Sequence, residues 1–321
     1  MNNVIAIDIG GTHFRVGLFD EEGRRLLVDE KATLRSGGRD WMLQQVHSLC
    51  RGFRERSDDP VTACGVSFGG PVDFGRQRVT SLHAPGWENF PLAEWVRETL
   101  GLPCRVDNDA NAGALGEFHY GAGRGLRSLV YVTLSTGIGG GMIWDGQVMR
   151  GRDSMAGEIG HLPVSDSGAL CSCGARGCLE TFSSGTAIAR RGQEWAARRP
   201  ESVARMIELS GGVIENITAQ AVVQAAAEGD TAAEEILRES GRWLGRALLV
   251  VIRLLNPDKI VLGGGVAQAG KLLLDPVHQA LEELRSPAIW YSTEIVPAEL
   301  GTLSPLYGAA ALALQMAPTR G

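Results

Sequence analysis

The chain lacks a long apolar run and any surplus of positive charge, and each absence excludes a class of function. Its most apolar stretch, Ala247 to Ile252, is too short to cross a bilayer and is followed by Arg253. Against 37 Asp and Glu there are 31 Lys and Arg, a net charge of -6, so no basic surface for nucleic-acid phosphates is expected. The N-terminal MNNVIAIDIGG has no basic leader, and Asp8 interrupts its apolar run, unlike a secretory signal. Several phosphate signatures are missing as well. There is no G-x-x-x-x-G-K-[ST] loop, no G-x-G-x-x-G opening a helix after a strand, and no protein-kinase set. Low-complexity tails and long linkers are absent. What remains is an ordinary globular composition, 44% hydrophobic and 21% charged, over 321 residues. That length exceeds what one core usually supports, so two lobes are expected.

Cysteine is sparse, and its distribution is uneven. Cys50, Cys64 and Cys104 stand in apolar surroundings without partners at a recognisable spacing. The other three fall in GEIGHLPVSDSGALCSCGARGCLE, Gly157 to Glu180, where His161, Cys171, Cys173 and Cys178 make a Cys₃His set. Zn²⁺ favours four tetrahedral nitrogen and sulfur ligands, and four protein ligands leave no open position, so a structural zinc is predicted. Gly174 and Gly177 permit the loop to fold back on itself. Four unrelated residues are the plainer alternative. Buried free thiols beside a thiolate metal site suit a reducing cytoplasm. Glu158 and Glu180 bracket the loop and can accept hydrogen bonds from polyol hydroxyls, while the second nitrogen of a metal-bound His161 stays available to a substrate or a neighbouring side chain.

Two segments share one plan. Val4 to Gly23 and Leu129 to Gly146 each read as a strand, a Gly/Thr turn, a second strand and an Asp-containing turn. Such a repeat at roughly half the chain length suggests two related lobes. In the first turn, Gly10, Gly11 and Thr12 offer backbone N–H groups and a hydroxyl to an oxyanion, and Asp8 could hold Mg²⁺ directly or through water. An isolated G-G-T reads more readily as a plain hairpin turn. The matching Ser135 to Gly141 turn favours a polyphosphate grip, and Lys259 to Gly270 adds a third strand-to-glycine junction leading into a helix over Val266 to Leu284.

Between these lie amphipathic helices at Asp40 to Arg56, Ala110 to His119, Ser184 to Arg199, Ala219 to Glu228, Thr231 to Leu255 and Leu303 to Gln315, as in α/β folds. Ser165 to Gly177 and Glu208 to Ile217 read as loops. Cys104 to Asn111 runs from a strand into a helix. The helix N-terminus favours the charged form of Asp109, which is expected to stay ionised near neutral pH and to accept a hydroxyl proton, with Asn108 beside it as a hydroxyl ligand. Plain N-capping explains the same residues. Trp87 either lines a sugar pocket or packs.

Taken together, Asp8 to Thr12, Gly65 to Asp73, Pro85 to Trp87, Asn108 to Asn111, Ser135 to Gly141, Glu158 to His161, the cysteine loop and Gly263 to Gly265 resemble the ROK family of bacterial sugar kinases and repressors. The resemblance implies a two-lobed, actin-like ATPase fold of the hexokinase type, α/β throughout, with a zinc loop in the second lobe. It implies a small lobe over residues 1–115 completed by a helix at 303–321, and a large lobe over 116–302 carrying the zinc loop 161–178. Asp109 becomes the catalytic base, with Gly70, Asn108, Glu158, His161 and Glu180 as sugar ligands. Asp8, Gly10, Gly11, Thr12, Thr136 and Gly137 would hold Mg²⁺ and the phosphates of ATP, and Gly263, Gly264 and Gly265 would approach the adenosine. The expected activity is transfer from ATP to the 6-hydroxyl of a hexose, glucose first, with N-acetylmannosamine or N-acetylglucosamine as alternatives. A sugar-sensing protein without turnover is the reading from another class. A cytoplasmic homodimer or homotetramer is implied, with neither nucleic acid nor membrane as partner. The repressor branch carries an N-terminal helix-turn-helix, for which a strand beginning by Val4 leaves no room. Two positions depart from the family pattern, Gly69 where a proline is usual and His83 where an asparagine is.

Overall fold

The computed structural model describes residues 2–81 and 84–317. His83 and the last residues of the expected 303–321 helix lie outside the described residues. The chain forms two compact units, one of Met1–Tyr131, Gly141–Gly157 and Ala298–Gly321, the other of Val132–Gly140 and Glu158–Pro297. Its strands are β1 (Asn3–Ile9), β2 (His13–Phe19), β3 (Arg25–Ala32), β4 (Val61–Phe68), β5 (Val72–Asp73), β6 (Arg78–Val79), β7 (Cys104–Asn108), β8 (Ser128–Leu134), β9 (Ile138–Trp144), β10 (Gln147–Val148), β11 (Lys259–Gly263) and β12 (Glu294–Pro297). Two five-stranded sheets result, ordered β3-β2-β1-β4-β7 and β10-β9-β8-β11-β12, with β5 and β6 as a small ribbon.

In the first sheet the β1–β2 hairpin is antiparallel, whereas β1, β4 and β7 run parallel with Ile9 opposite Phe68 and Phe68 opposite Asn108. Parallel strands need crossovers, supplied here by α1 (Gly38–Glu55) and α2 (Leu92–Leu100). β1 is buried along its whole length, as expected for a strand covered on both faces. One face holds Phe14, Phe53, Phe68 and Trp87, the other Phe19 and Leu306. Each fully buried side chain of this size contributes about 1.5–3 kcal/mol.

The helix α3 (Asp109–Tyr120) is buried almost all round and accordingly rich in small residues. It crosses α10 (Ser304–Leu314) so closely that a Cβ on Gly308 would lie 1.7 Å from the Ala112 carbonyl oxygen. Glu117, wholly buried on α3, accepts from the N–H groups of Ala122, Glu299 and Leu300 and from the Ser304 hydroxyl at 2.7–3.2 Å, which ties the C-terminal segment to this helix. Cys64 and Cys104 face each other across β4 and β7, partners that their sequence spacing did not suggest. The hydrogen bond between these thiols, together with burial, pushes the Cys64 thiol up.

The second unit carries α4 (Glu180–Ser183), α5 (Gly185–Arg198), α6 (Ala204–Leu209), α7 (Ala219–Ala227), α8 (Thr231–Leu255) and α9 (Lys271–Glu283). α8 follows the sequence reading residue for residue, because Asp230 caps its first turn and Asn256 ends it in the left-handed region. Two expectations are corrected. The helix read over Val266 to Leu284 is broken, with a 3-10 turn at Val266–Ala269 and α9 beginning at Lys271, because Gly270 adopts φ 56°. The loop read from Glu208 begins inside α6. No helix among the described residues is long and apolar enough to cross a membrane.

Candidate functional site

The parallel register of β1, β4 and β7 brings three loops to one sheet edge in the first unit: the Gly10–Thr12 turn, Gly69–Gly70 and the start of α3. This is the C-terminal edge of parallel strands, where α/β proteins place ligands. The Gly69 N–H donates to the Ile9 carbonyl at 2.8 Å, and a Cβ on Gly69 would lie 3.5 Å from Gly10 Cα and 3.9 Å from Asp109 Oδ2. Proline at this position would forfeit that N–H, so the departure at Gly69 is built into how the loops join. Asn108 caps α3 by accepting from the Ala110 N–H at 2.9 Å, while its amide donates to the Gly70 carbonyl at 3.0 Å. Capping and site placement are therefore served by one residue.

The Asp109 carboxyl is held well above the ordinary carboxylate range. Burial first, and the nearby Asp8 carboxylate second, push its carboxyl up to about 7, against the opposing pull of the Ala110 N–H and the Asn108 amide. The helix N-terminus alone argued for an ionised group, but desolvation outweighs it. Asp8, also buried, is raised by burial in spite of Arg15. Its Oδ1 accepts from the Ser67 hydroxyl at 2.9 Å and its Oδ2 from Arg15 at 3.2 Å. Two raised carboxyls, one of them raised in part by the other, fit a divalent cation, which would relieve the negative charge.

One pairing escaped the sequence reading. Asp107, 1% exposed, takes two N–H groups of Arg150 on Oδ2, at 2.6 and 2.9 Å, and holds the Asn108 N–H and the Asn111 amide on Oδ1 at 2.9 and 3.0 Å. Arg150 stands over the Phe74 ring at 3.6 Å. With the partners 43 positions apart in the chain, no local spacing could reveal them. Trp87 is buried against Phe68 and Phe90 and lines a cavity of about 50 Å³ beside Gly10, Gly11 and Gly69.

In the second unit the Ser135–Gly137 turn is anchored on α5. The Gly185 N–H donates to the Ser135 carbonyl at 2.7 Å, and the Thr186 N–H and hydroxyl donate to the Thr136 carbonyl at 3.2 and 2.9 Å. Ser184 caps that helix through the Ala187 N–H. Gly264, with φ +85°, packs so that a Cβ would fall 2.4 Å from the Leu134 carbonyl oxygen, whereas a Cβ on the neighbouring Gly265 would meet open space. Thus Thr136, Gly137 and Gly263 to Gly265 belong to one neighbourhood. Glu180 joins it, since its Oε2 accepts from the Ile138 N–H at 2.8 Å and leaves no room for a Cβ on Gly137.

His161, Cys171, Cys173 and Cys178 place four ligand atoms within 4.8 Å of one another. The His161 Nδ1 to Cys171 Sγ distance is 3.4 Å, and Cys173 Sγ to Cys178 Sγ is 3.7 Å. Tetrahedral zinc with ordinary bond lengths spaces such donors by about 3.5–3.8 Å. The donors therefore fit the metal. Gly177, at φ +79°, permits the return of the loop, where a Cβ would strike the Ser165 carbonyl. Burial and the other thiols push Cys178 up to about 12, while the Ala175 N–H leads the effects that lower Cys173. A cation is what would let both serve as thiolates. The remaining His161 nitrogen, Nε2, points to Glu158 Oε2 at 3.8 Å.

Known proteins are similar to this chain over nearly all of its length. A glucokinase of Streptomyces coelicolor is 35% identical over 99% of both chains. The crystal structure of a ROK family glucokinase from Streptomyces griseus, in complex with glucose and AMPPNP, is 35% identical, covers 98% of this chain and 99% of that one, and superposes with a TM-score of 0.88. A xylose repressor of Caldicellulosiruptor bescii is 27% identical over 98% of this chain and 78% of its own length. The two-lobed actin-like fold is thereby established, as is the presence of both kinases and regulators among the relatives. Residues 4–316 match the ROK family along nearly the whole chain, and the protein belongs to it.

Proposed function

We propose that the protein is an ATP-dependent hexose kinase acting at the 6-hydroxyl, with glucose as its substrate. The observation that carries this reading is Asp109, whose carboxyl, pushed to about 7 beside the glycine turns, is poised to exchange a proton near neutral pH. The sugar oxygen attacks the γ-phosphorus, its proton passes to Asp109, the new P–O bond forms, and the bond to the β–γ bridging oxygen breaks to release ADP. Asn108 is held rigidly by Gly70 and Ala110, and offers its remaining N–H and lone pair to a sugar hydroxyl. Glu158, His161, Glu180 and Gly70 complete the sugar contacts in this reading. The turns of Gly10, Gly11 and Gly137 and the hydroxyls of Thr12 and Thr136 meet the phosphates in this reading, the Gly10 N–H staying on the His13 carbonyl at 3.0 Å, and Gly263 to Gly265 meet the adenosine.

Mg²⁺, held at Asp8, would neutralise charge developing on the phosphates. Zinc, held by His161, Cys171, Cys173 and Cys178, would fix the imidazole that faces Glu158. The reading includes a cytoplasmic location and a homodimer or homotetramer, the latter testable by light scattering, where a monomeric mass would refute it.

A coupled ADP-release assay over glucose, mannose, fructose, allose, N-acetylglucosamine and N-acetylmannosamine tests the proposal. Glucose is expected to give the highest kcat/KM. Turnover confined to a 2-acetamido sugar would replace the substrate but keep the chemistry. Sugar binding without ADP release from any of them would favour a regulator, a reading supported by the xylose repressor among the relatives.

A further inference from the structure

The Asp107–Arg150 pair, its carboxylate buried and its guanidinium partly so, has no part in the chemistry just described, yet it adjoins the residues that do. Asp107 divides its carboxylate. Oδ2 receives Nε and Nη2 of Arg150 at 2.9 and 2.6 Å, and Oδ1 receives the Asn108 N–H and the Asn111 amide. Asn111 is 4% exposed, and its Oδ1 has no hydrogen-bond partner among the described residues, so Asp107 orients this side chain. Arg150 is itself gripped from two sides. Its guanidinium covers Phe74, and its carbonyl accepts the Ala156 N–H at 3.0 Å, closing the 150–156 loop. Ser154 in that loop accepts from the Phe74 N–H at 3.2 Å.

We infer that Arg150 is a positioning residue: through Asp107 it fixes the first turn of α3 and hence the direction in which Asp109 and Asn108 present themselves. The inference rests on the kinase reading for its kinetic half only. A carboxylate free to rotate would share its oxygens among competing donors, whereas two parallel N–H groups from a planar guanidinium lock one oxygen and leave the other for the helix start. Arg150 touches neither sugar nor phosphate in this account. Its effect is on where the base sits, and misplacement by an ångström is enough to slow transfer.

Removing one member of a buried pair leaves an uncompensated charge, whereas replacing both by apolar residues of similar size is often neutral for stability. The decisive variant is therefore the double one, D107L/R150M. It should fold with a Tm lowered by several degrees, because the Asn108 N–H and the Asn111 amide lose their acceptor, while kcat falls on the order of tenfold to a hundredfold and KM for ATP stays unchanged. A folded double variant with the kcat of the parent would overturn the inference, whatever its Tm, since the pair would then have no hold on the base. R150K keeps the charge and decides the matter if the double variant does not fold. It loses the two-pronged grip, so kcat should drop about threefold at constant KM for ATP, and a parental kcat would overturn the inference. Hydrogen exchange of the peptide spanning 104–115 reads the geometric half without turnover. Faster exchange in R150K than in the parent is expected, and identical exchange counts against the positioning role even if no sugar proves to be a substrate.

Discussion

Asp109 and Glu117 are two acids on one helix, eight residues apart in number and opposite in character. Glu117 is wholly buried, but four donors converge on its two oxygens, so it serves as a fixed post for residues 299–304. Asp109 stands where the Asp8 carboxylate adds to the cost of its own burial, and its carboxyl is raised to about 7. Burial alone therefore does not make an acid reactive. What separates the two is whether the surroundings supply donors or a second negative charge.

Asp109→Asn should lower kcat by roughly 10²–10⁴ with little loss of Tm, and a steady-state assay beside a thermal melt reads both. Comparable activity in this variant would remove Asp109 from the base role. Glu117→Ala should do the reverse, costing about 3 kcal/mol of stability by denaturant titration because buried donors lose their acceptor, while the folded fraction keeps its kcat. A large fall in kcat at permissive temperature would erase the distinction between the two acids.

Cys173→Ser touches neither acid and so sharpens the contrast. It should lose zinc by elemental analysis and raise sugar KM about tenfold, leaving the pH dependence of kcat/KM in place. Full zinc content would detach the cysteines from the site. The smallest effect is on stability against pH. Asp109 has a folded-state pKa raised above its unfolded value, so its stabilising share is present below about pH 4 and is lost as pH rises towards 7. Relative to Asp109→Asn, the parent should lose about 1–2 kcal/mol over that window once solvent access is allowed for, and parallel curves would contradict the raised carboxyl.

Which parts were legible follows from the range of the interactions. The zinc loop could be read because its ligands fall within eighteen residues of His161, His161 included. α8 could be read because its caps are local side chains acting on adjacent N–H groups. The position of Asp109 was legible, but the upward shift of its carboxyl was not, since its burial comes from tertiary packing and Asp8 reaches it only through the parallel pairing of β1, β4 and β7. Arg150 on Asp107, and Glu117 on Ser304, join residues far apart in the chain, and no periodicity announces them. The break at Gly270 was missed for a different reason, because a helical apolar pattern continues across it.

Glu180 and Gly137 carry one more implication. A methyl group at 137 would come within 2.4 Å of Glu180 Oε2 and displace that oxygen from the Ile138 N–H, while an aspartate at 180 would be one methylene too short to reach it. A substitution at 137 would therefore be felt first at 180, as a turned carboxylate that no longer holds the Ile138 N–H.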